Sequence, residues 1–152
     1  MARPSRRELA DQLADVTVFS RCTRRERATV ARHMETAMLP AGVPLVEEGE
    51  EGDAFFLILA GAASVLRGGR EVAVVGPGAS FGELALLDGG PRSASVVSTE
   101  PVTVAVLGVR MFRTILREFP DVTWALLAGL AAELRAARDE LERATVPIPP
   151  AP

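Results

Sequence analysis

The feature that most constrains this chain is a succession of short apolar runs, each closed by glycine or proline, across residues 36–108. Such runs, at a spacing of roughly eight to twelve residues, are typical of antiparallel sandwiches and barrels. Within the series, Gly68 and Gly69 separate "ASVLR" from "REVAVV". This pair predicts a tight hairpin, because glycine supplies the positive φ that primed turns require. The segment is therefore expected to fold as antiparallel strands.

Helical patterns flank the strand-rich segment on both sides. Two capping boxes predict two short helices within residues 5–35, with a polar side chain at each N-cap and a glutamate three residues later. The boxes are Ser5 with Glu8 and Thr23 with Glu26. A helical period returns over residues 109–144, where Pro120 is expected to begin the second of two helices, because proline fits the first turn of a helix but not its interior.

The final helix is expected to run from about Asp121 to Arg143 and to carry one apolar stripe. The stripe comprises Val122, Leu126, Leu130, Leu134, Ala137 and Leu141, with Leu127 beside it. Two interpretations remain open at this point. The stripe either forms a two-helix dimer seam or packs against the chain's own sheet.

Length and composition predict one domain over residues 1–146, followed by a disordered proline-rich tail at 147–152. The single cysteine, Cys22, excludes an intramolecular disulfide and a paired structural zinc site. No apolar run reaches the roughly 18 residues of a membrane span, so a cytoplasmic protein is expected. The net charge of -3 gives no general attraction to nucleic acid, and the arginine clusters near the N-terminus are interpreted as solvated helical faces.

The stretch "FGELALLDGGPRSASV" places an acid and a base close together in an otherwise apolar segment. If "GELALLD" is a short helix, its first amides form an anion site that Gly82 lets a ligand approach. Arg92, expected at the start of the next strand, and Ser93 add donors. Glu83 would repel a phosphate unless it accepts a hydrogen bond from a sugar hydroxyl. A cyclic 3′,5′-nucleotide carries both groups side by side. The alternative is a helix-capping glutamate with a surface ion pair to Arg92.

Two motifs in this order resemble the cyclic nucleotide-binding domain family, which includes bacterial catabolite activators, kinase regulatory subunits and gated channels. They are "FGELALLDGGPRSASV" and "LVEEGEEGDAFFLILAGAASV". The resemblance covers roughly residues 9–143 and implies an α+β, mainly β fold: an antiparallel β-roll, or double-stranded jelly-roll, with N-terminal helices and two C-terminal helices.

The resemblance also implies residue roles. Glu83 would hold the ribose 2′-hydroxyl and Arg92 the cyclic phosphate. The other ligand-binding residues implied are Phe81, Gly82, Leu84, Ala85, Ser93 and Ala94. No catalytic residue, metal ligand or cofactor is expected. Cyclic AMP is the expected ligand and cyclic GMP the alternative, because the helical flanks have a bacterial character.

The mechanism implied by the family is a switch. Ligand draws the motif inward, Leu86 or a neighbour repacks, and the C-terminal helix swings to cap the base. Arg135 and Arg138 are candidates for base contacts, or else part of a solvated face. Trp124 is interpreted as a core residue, with a platform for the base as the alternative.

Three functions are compatible with these features. The first is a stand-alone sensor that lacks its own DNA-binding or catalytic module and signals to a protein partner, with a homodimer through the final helix as one form. The second is a structural or protein-interaction module of the same fold that binds no ligand. The third, a cupin-type metalloenzyme, would need two or three histidines on strands, whereas this chain has only His33, on a predicted helix.

Overall fold

The computed structural model describes residues 4–145, so the predicted proline-rich tail lies outside the described residues. Two four-stranded antiparallel sheets form a β-roll, with helices before and after it. This architecture confirms the predicted fold class. None of the helices in the described part of the chain combines the length and the apolar character needed to cross a bilayer.

The eight strands divide between the sheets in a non-sequential order. They are β1 (Glu35–Leu39), β2 (Pro44–Val46), β3 (Ala54–Ala60), β4 (Ala63–Arg67), β5 (Arg70–Val75), β6 (Ser80–Phe81), β7 (Ser95–Ser98) and β8 (Val102–Gly108). One sheet has the order β1-β8-β3-β6 and the other β2-β7-β4-β5. The sequence did not indicate β6, because a two-residue strand has too few positions to show an alternation.

The predicted hairpin lies between β4 and β5. Gly68 and Gly69 have φ values of 57° and 79°, and the residues that close the turn, Arg67 and Arg70, are cross-strand partners. Positive φ at both central positions is the primed-turn geometry that the glycine pair predicted.

The helices are α1 (Arg6–Leu13), α2 (Arg24–Arg32), α3 (Glu83–Asp88), α4 (Val109–Glu118) and α5 (Pro120–Ala144), with a 3₁₀ turn at Thr17–Phe19. Both capping boxes are formed, at Ser5 and at Thr23. The 3₁₀ turn was not predicted, yet it places Phe19 edge-on to Phe55 in the core. Cys22 is buried beside it, and burial, with the nearby Glu26, raises the pKa of its thiol to about 11.

The apolar stripe predicted for the last helix is buried only along the first half of the helix. Val122 and Leu126 are buried against the other helices and Leu130 is partly buried, whereas Leu134 and Leu141 are 54% and 70% exposed. Only the first half of α5 reaches the body of the domain, where the 3₁₀ turn and α4 contact it. The second half carries its leucines into solvent.

Candidate functional site

The helix α3 begins and ends at glycines in the left-handed region. Gly82 has φ 93° at the N-cap, and Gly89 has φ 66° at the C-cap. The amide of Leu86 donates to Gly82 O at 3.2 Å and that of Gly89 to Ala85 O at 2.9 Å. The amides of the first turn therefore lack helical partners, as the sequence predicted.

Arg92 is the buried cation of this region, with 9% of its surface exposed. Its Nη2 donates to Ala54 O at 2.6 Å, and its Cζ lies 6.0 Å from the centroid of the Phe56 ring. Burial lowers the pKa of the guanidinium and the Asp53 carboxylate opposes that shift. The side chain still stays charged at neutral pH, because a guanidinium group in a protein is protonated throughout the physiological range.

The environment of Arg92 corrects two predictions. The surface ion pair with Glu83 is wrong, because Arg92 is buried and the one ion pair in residues 4–145 joins Arg24 to Asp11. Arg92 was also placed at the start of a strand, whereas β7 begins at Ser95. The residue instead lies in an irregular segment, where its amide donates to Glu50 O at 2.8 Å.

Two glycines bring the backbone close to this guanidinium. A Cβ at Gly82 would collide with Arg92 Nη1 and would lie 2.6 Å from Ala54 O. A Cβ at Gly52 would collide with Ala85 Cβ. Glycine is needed at Gly82 for both reasons, its positive φ and the space that the guanidinium occupies.

A cavity of about 560 Å³ opens beside α3 and Arg92. Seven of the predicted ligand-binding residues line it: Phe81, Gly82, Glu83, Ala85, Arg92, Ser93 and Ala94. The eighth, Leu84, is the second residue of α3 and contributes its amide to the first turn. The structure therefore brings the acid and the base of the motif to one cavity.

The rest of the lining had not been predicted. It consists of Val46, Val65, Arg67, Val75, Ala79, Ser80, Asp88, Gly90, Pro91 and Val96. The valines come from the sheet β2-β7-β4-β5, where Val96 pairs with both Val46 and Val65. Their alternation along the strands was a usable signal, but the sequence did not show which face the motif would meet.

Glu83 also lines a second, much smaller cavity of about 10 Å³. The other residues there are apolar: Val18, Phe19, Leu86, Leu87, Phe112, Leu126 and Leu130. They come from the 3₁₀ turn, α3, α4 and α5. The first residue of α3 thus contacts both the large cavity and the packing between the helices.

The structure does not bring the other candidates to the cavity. Arg135 and Arg138 are exposed on α5, and neither lines it. Trp124 is 72% exposed, so its interpretation as a core residue is wrong. It does not line the cavity either. In this conformation the cavity has no contribution from α5.

The loop between β2 and β3 is rich in acidic residues but forms no metal site within residues 4–145. In residues 4–145 no group of three or more His, Cys, Asp or Glu side chains could hold an ion. A hydrogen bond with Glu47, and then the charges of Glu47 and Asp53, raise the pKa of Glu50. His33 caps α2 instead of lying within a helix or on a strand, and its Nδ1 is 2.7 Å from Thr29 O.

Comparison with known proteins gives consistent matches. The sequence model described as "Cyclic nucleotide-binding domain" matches residues 37–119. The cAMP-dependent protein kinase regulatory subunit of Hypocrea atroviridis is 37% identical over 111 residues, which cover 73% of this chain and 24% of that protein. The chain thus spans about a quarter of the length of that relative.

Two solved structures have the same fold. The N-terminal domain of a transcriptional regulator from Streptomyces coelicolor superposes with a TM-score of 0.78 at 31% identity, covering 91% of this chain and 99% of that one. The regulatory domain of Toxoplasma gondii PKA, crystallised with cAMP, gives 0.64 at 30% identity, covering 84% and 50%. Since the matches span fungal and bacterial proteins, a bacterial source stays a prediction.

Proposed function

The chain belongs to the cyclic nucleotide-binding domain family, and from that premise we propose that it binds a cyclic nucleotide in the 560 Å³ cavity. One observation carries the proposal: a buried arginine and a helix-start glutamate line the same cavity. Pockets of about 300–1,000 Å³ are the usual size for small ligands.

The phosphate is assigned to Arg92. Its guanidinium has five N–H donors, and Ala54 O accepts from one nitrogen, Nη2. No carboxylate in the described part of the chain forms an ion pair with it. A buried charge without a counter-ion is costly, so an anion in the cavity would be stabilised by it. The free first-turn amides of α3 lie next to it and favour the same anion.

The ribose is assigned to Glu83. A carboxylate near a bound phosphate repels it, since like charges at short range disfavour each other by more than about 1 kcal/mol. Glu83 therefore suits the neutral neighbour of the phosphate, a ribose hydroxyl from which it accepts a hydrogen bond. This division requires a ligand whose phosphate and hydroxyl are adjacent, as they are in a cyclic 3′,5′-nucleotide.

The base is assigned to the apolar wall that Val46, Val65, Val75 and Val96 form. A planar base is stabilised by leaving water at such a wall. We propose cyclic AMP as the ligand, with cyclic GMP as the alternative. The support is that the Hypocrea and Toxoplasma proteins are both described as dependent on, or bound to, cyclic AMP.

Signalling is proposed to run from Glu83 to α5. Glu83 lines the ligand cavity and also the small cavity that Leu126 and Leu130 of α5 line, and Leu86 is buried between them. A ligand that draws Glu83 inward alters this packing, and α5 responds. The ligand biases the switch only as far as it binds the two arrangements with different affinity.

The partner of α5 is proposed to be a second copy of the chain. Leu127, Leu134 and Leu141 are exposed and lie seven residues apart, and Trp124 is exposed one turn before the first. A seven-residue spacing of apolar residues is that of a two-helix seam. We propose no catalytic role and no direct contact with nucleic acid.

A ligand-free module of the same fold is the competing function, and one observation favours it. Arg92 is packed inward and already bonded to Ala54 O. The cavity nevertheless keeps about 560 Å³, and Arg92 belongs to its wall. An arginine side chain that filled the cavity would leave no empty volume of this size.

Calorimetric titration tests the proposal. The wild-type protein should bind cyclic AMP at one site per chain and should bind adenosine 5′-monophosphate far more weakly, because a doubly charged open phosphate fits poorly beside Glu83. Cyclic GMP is titrated in parallel. Absence of heat with either cyclic nucleotide at millimolar concentration would establish the ligand-free module instead.

A further inference from the structure

Arg67 is a second arginine in the cavity wall, which the sequence did not indicate as functional. It is the last residue of β4, next to the glycine hairpin, and it is exposed at the rim of the cavity. Val65, two residues earlier on the same strand, also lines the cavity. Residues two apart on a strand share a face, so Arg67 lies at the edge of the valine wall.

The charge of Arg67 has no partner within residues 4–145, where its side chain takes part in neither an ion pair nor a hydrogen bond. Its cross-strand neighbour is Arg70, which carries the same charge. Like charges opposite each other on paired strands are destabilising. Arg67 is therefore a cation at the cavity rim that forms no ion pair, although the Glu48 carboxylate accepts from the next amide, Gly68 N, at 2.9 Å.

We propose that Arg67 contributes to base specificity by donating to the acceptor edge of the purine, and that this contribution favours a 6-oxopurine and so narrows the preference for cyclic AMP over cyclic GMP. The inference rests on the proposed function. A base stacked on Val65 has its edge beside Arg67. Arginine can only donate. Guanine offers two acceptors on that edge, O6 and N7, whereas adenine offers N7 beside an N6 donor.

Because Arg92 is assigned to the phosphate at the buried end of the cavity, the base is the part of the ligand that Arg67 is proposed to contact. The phosphate already has Arg92, which contacts Ala54 O and lies against Gly82. Arg67 is the exposed last residue of β4, and its side chain forms no hydrogen bond or ion pair within residues 4–145 that would hold it away from the base. Substituting Arg67 is therefore expected to change the relative affinities for different bases more than the overall affinity for cyclic nucleotides.

Calorimetry with three probes tests the proposal: cyclic GMP, cyclic IMP and cyclic AMP. Cyclic IMP has O6 and N7 but lacks the 2-amino group of guanine. Arg67→Ala should lower the affinity for cyclic GMP and cyclic IMP by about tenfold or more, and the affinity for cyclic AMP by about threefold or less. Arg67→Lys keeps the charge but loses the planar fork, so most of the preference should disappear with it.

Arg70→Ala is the matched control, because it removes the same charge from the same hairpin at a residue outside the cavity lining. All three affinities should change by less than about twofold. An equal loss for the three nucleotides in Arg67→Ala, or no loss, would overturn the role of Arg67 while leaving the proposed function intact. Failure of the wild-type chain to bind any of them would overturn both.

Discussion

At the residue scale, Arg92 is fixed before any ligand arrives. Its Nη2 is bonded to Ala54 O, its Cζ lies over Phe56, and Gly82 leaves room for Nη1. Phe56 is itself stacked on Phe81 with ring centroids 5.3 Å apart. A side chain held in this way loses little conformational entropy when it binds an anion, which favours affinity.

We expect Arg92→Lys to lower the affinity for cyclic AMP about tenfold to a hundredfold. Lysine keeps the charge but cannot bond Ala54 O and a phosphate with one planar group, and a charge-assisted hydrogen bond contributes roughly 1.5–3 kcal/mol. Calorimetry measures the change, with Arg70→Lys as a control of equal chemistry outside the cavity. An unchanged affinity in Arg92→Lys would remove this residue from the phosphate site.

The sequence predicted the acid and the base of the site, because Glu83 and Arg92 lie in one short motif of distinctive composition. It could not predict what holds Arg92. The acceptor is the carbonyl of Ala54, a backbone group 38 residues away, and every residue has such a carbonyl. The sequence did not predict Arg67 as a cavity residue for a related reason: its place in the cavity depends on the register of β4.

At the scale of elements, the two halves of α5 differ in burial. Its first half buries Val122 and Leu126 in the helical core, and its second half exposes Leu134 and Leu141. The predicted stripe joined these residues because they recur at helical spacing on one face of the helix. The elements that contact α5 are the 3₁₀ turn and α4, which are separate segments of the chain, so the sequence of α5 alone does not show how much of it they cover.

We expect the exposed leucines of α5 to hold two chains together. The double variant Leu134→Glu, Leu141→Glu should be monomeric, because two carboxylates would enter an apolar seam from each chain. Light scattering after size-exclusion chromatography measures the mass. Ala136→Glu is the control, since it adds a carboxylate at an exposed site on the opposite face of the helix.

A wild-type chain that is already monomeric at tens of micromolar would contradict the dimer. So would a double variant that keeps the mass of a dimer. Compared as monomers, both variants should have unfolding midpoint temperatures close to that of the wild type. The reason is that the substituted residues lie outside the core.

At the scale of the whole molecule, the two sheets and the helices meet around α3. The sheet β2-β7-β4-β5 supplies the valine wall, β6 and Gly82 lead into α3, and the far side of α3 packs on the helices through Leu86. The sequence predicted this order of elements well, since the capping boxes and the glycine hairpin are local signals. The cavity itself depends on contacts between distant segments.

The most direct test of the central claim is a crystal structure of the chain with cyclic AMP. The cyclic phosphate should lie within about 2.7–2.9 Å of an Arg92 guanidinium nitrogen, the Glu83 carboxylate should accept from the ribose 2′-hydroxyl, and the base should lie on the valine wall. A nucleotide bound outside this cavity, or one whose phosphate faces solvent while Arg92 contacts only Ala54 O, would contradict the assignment.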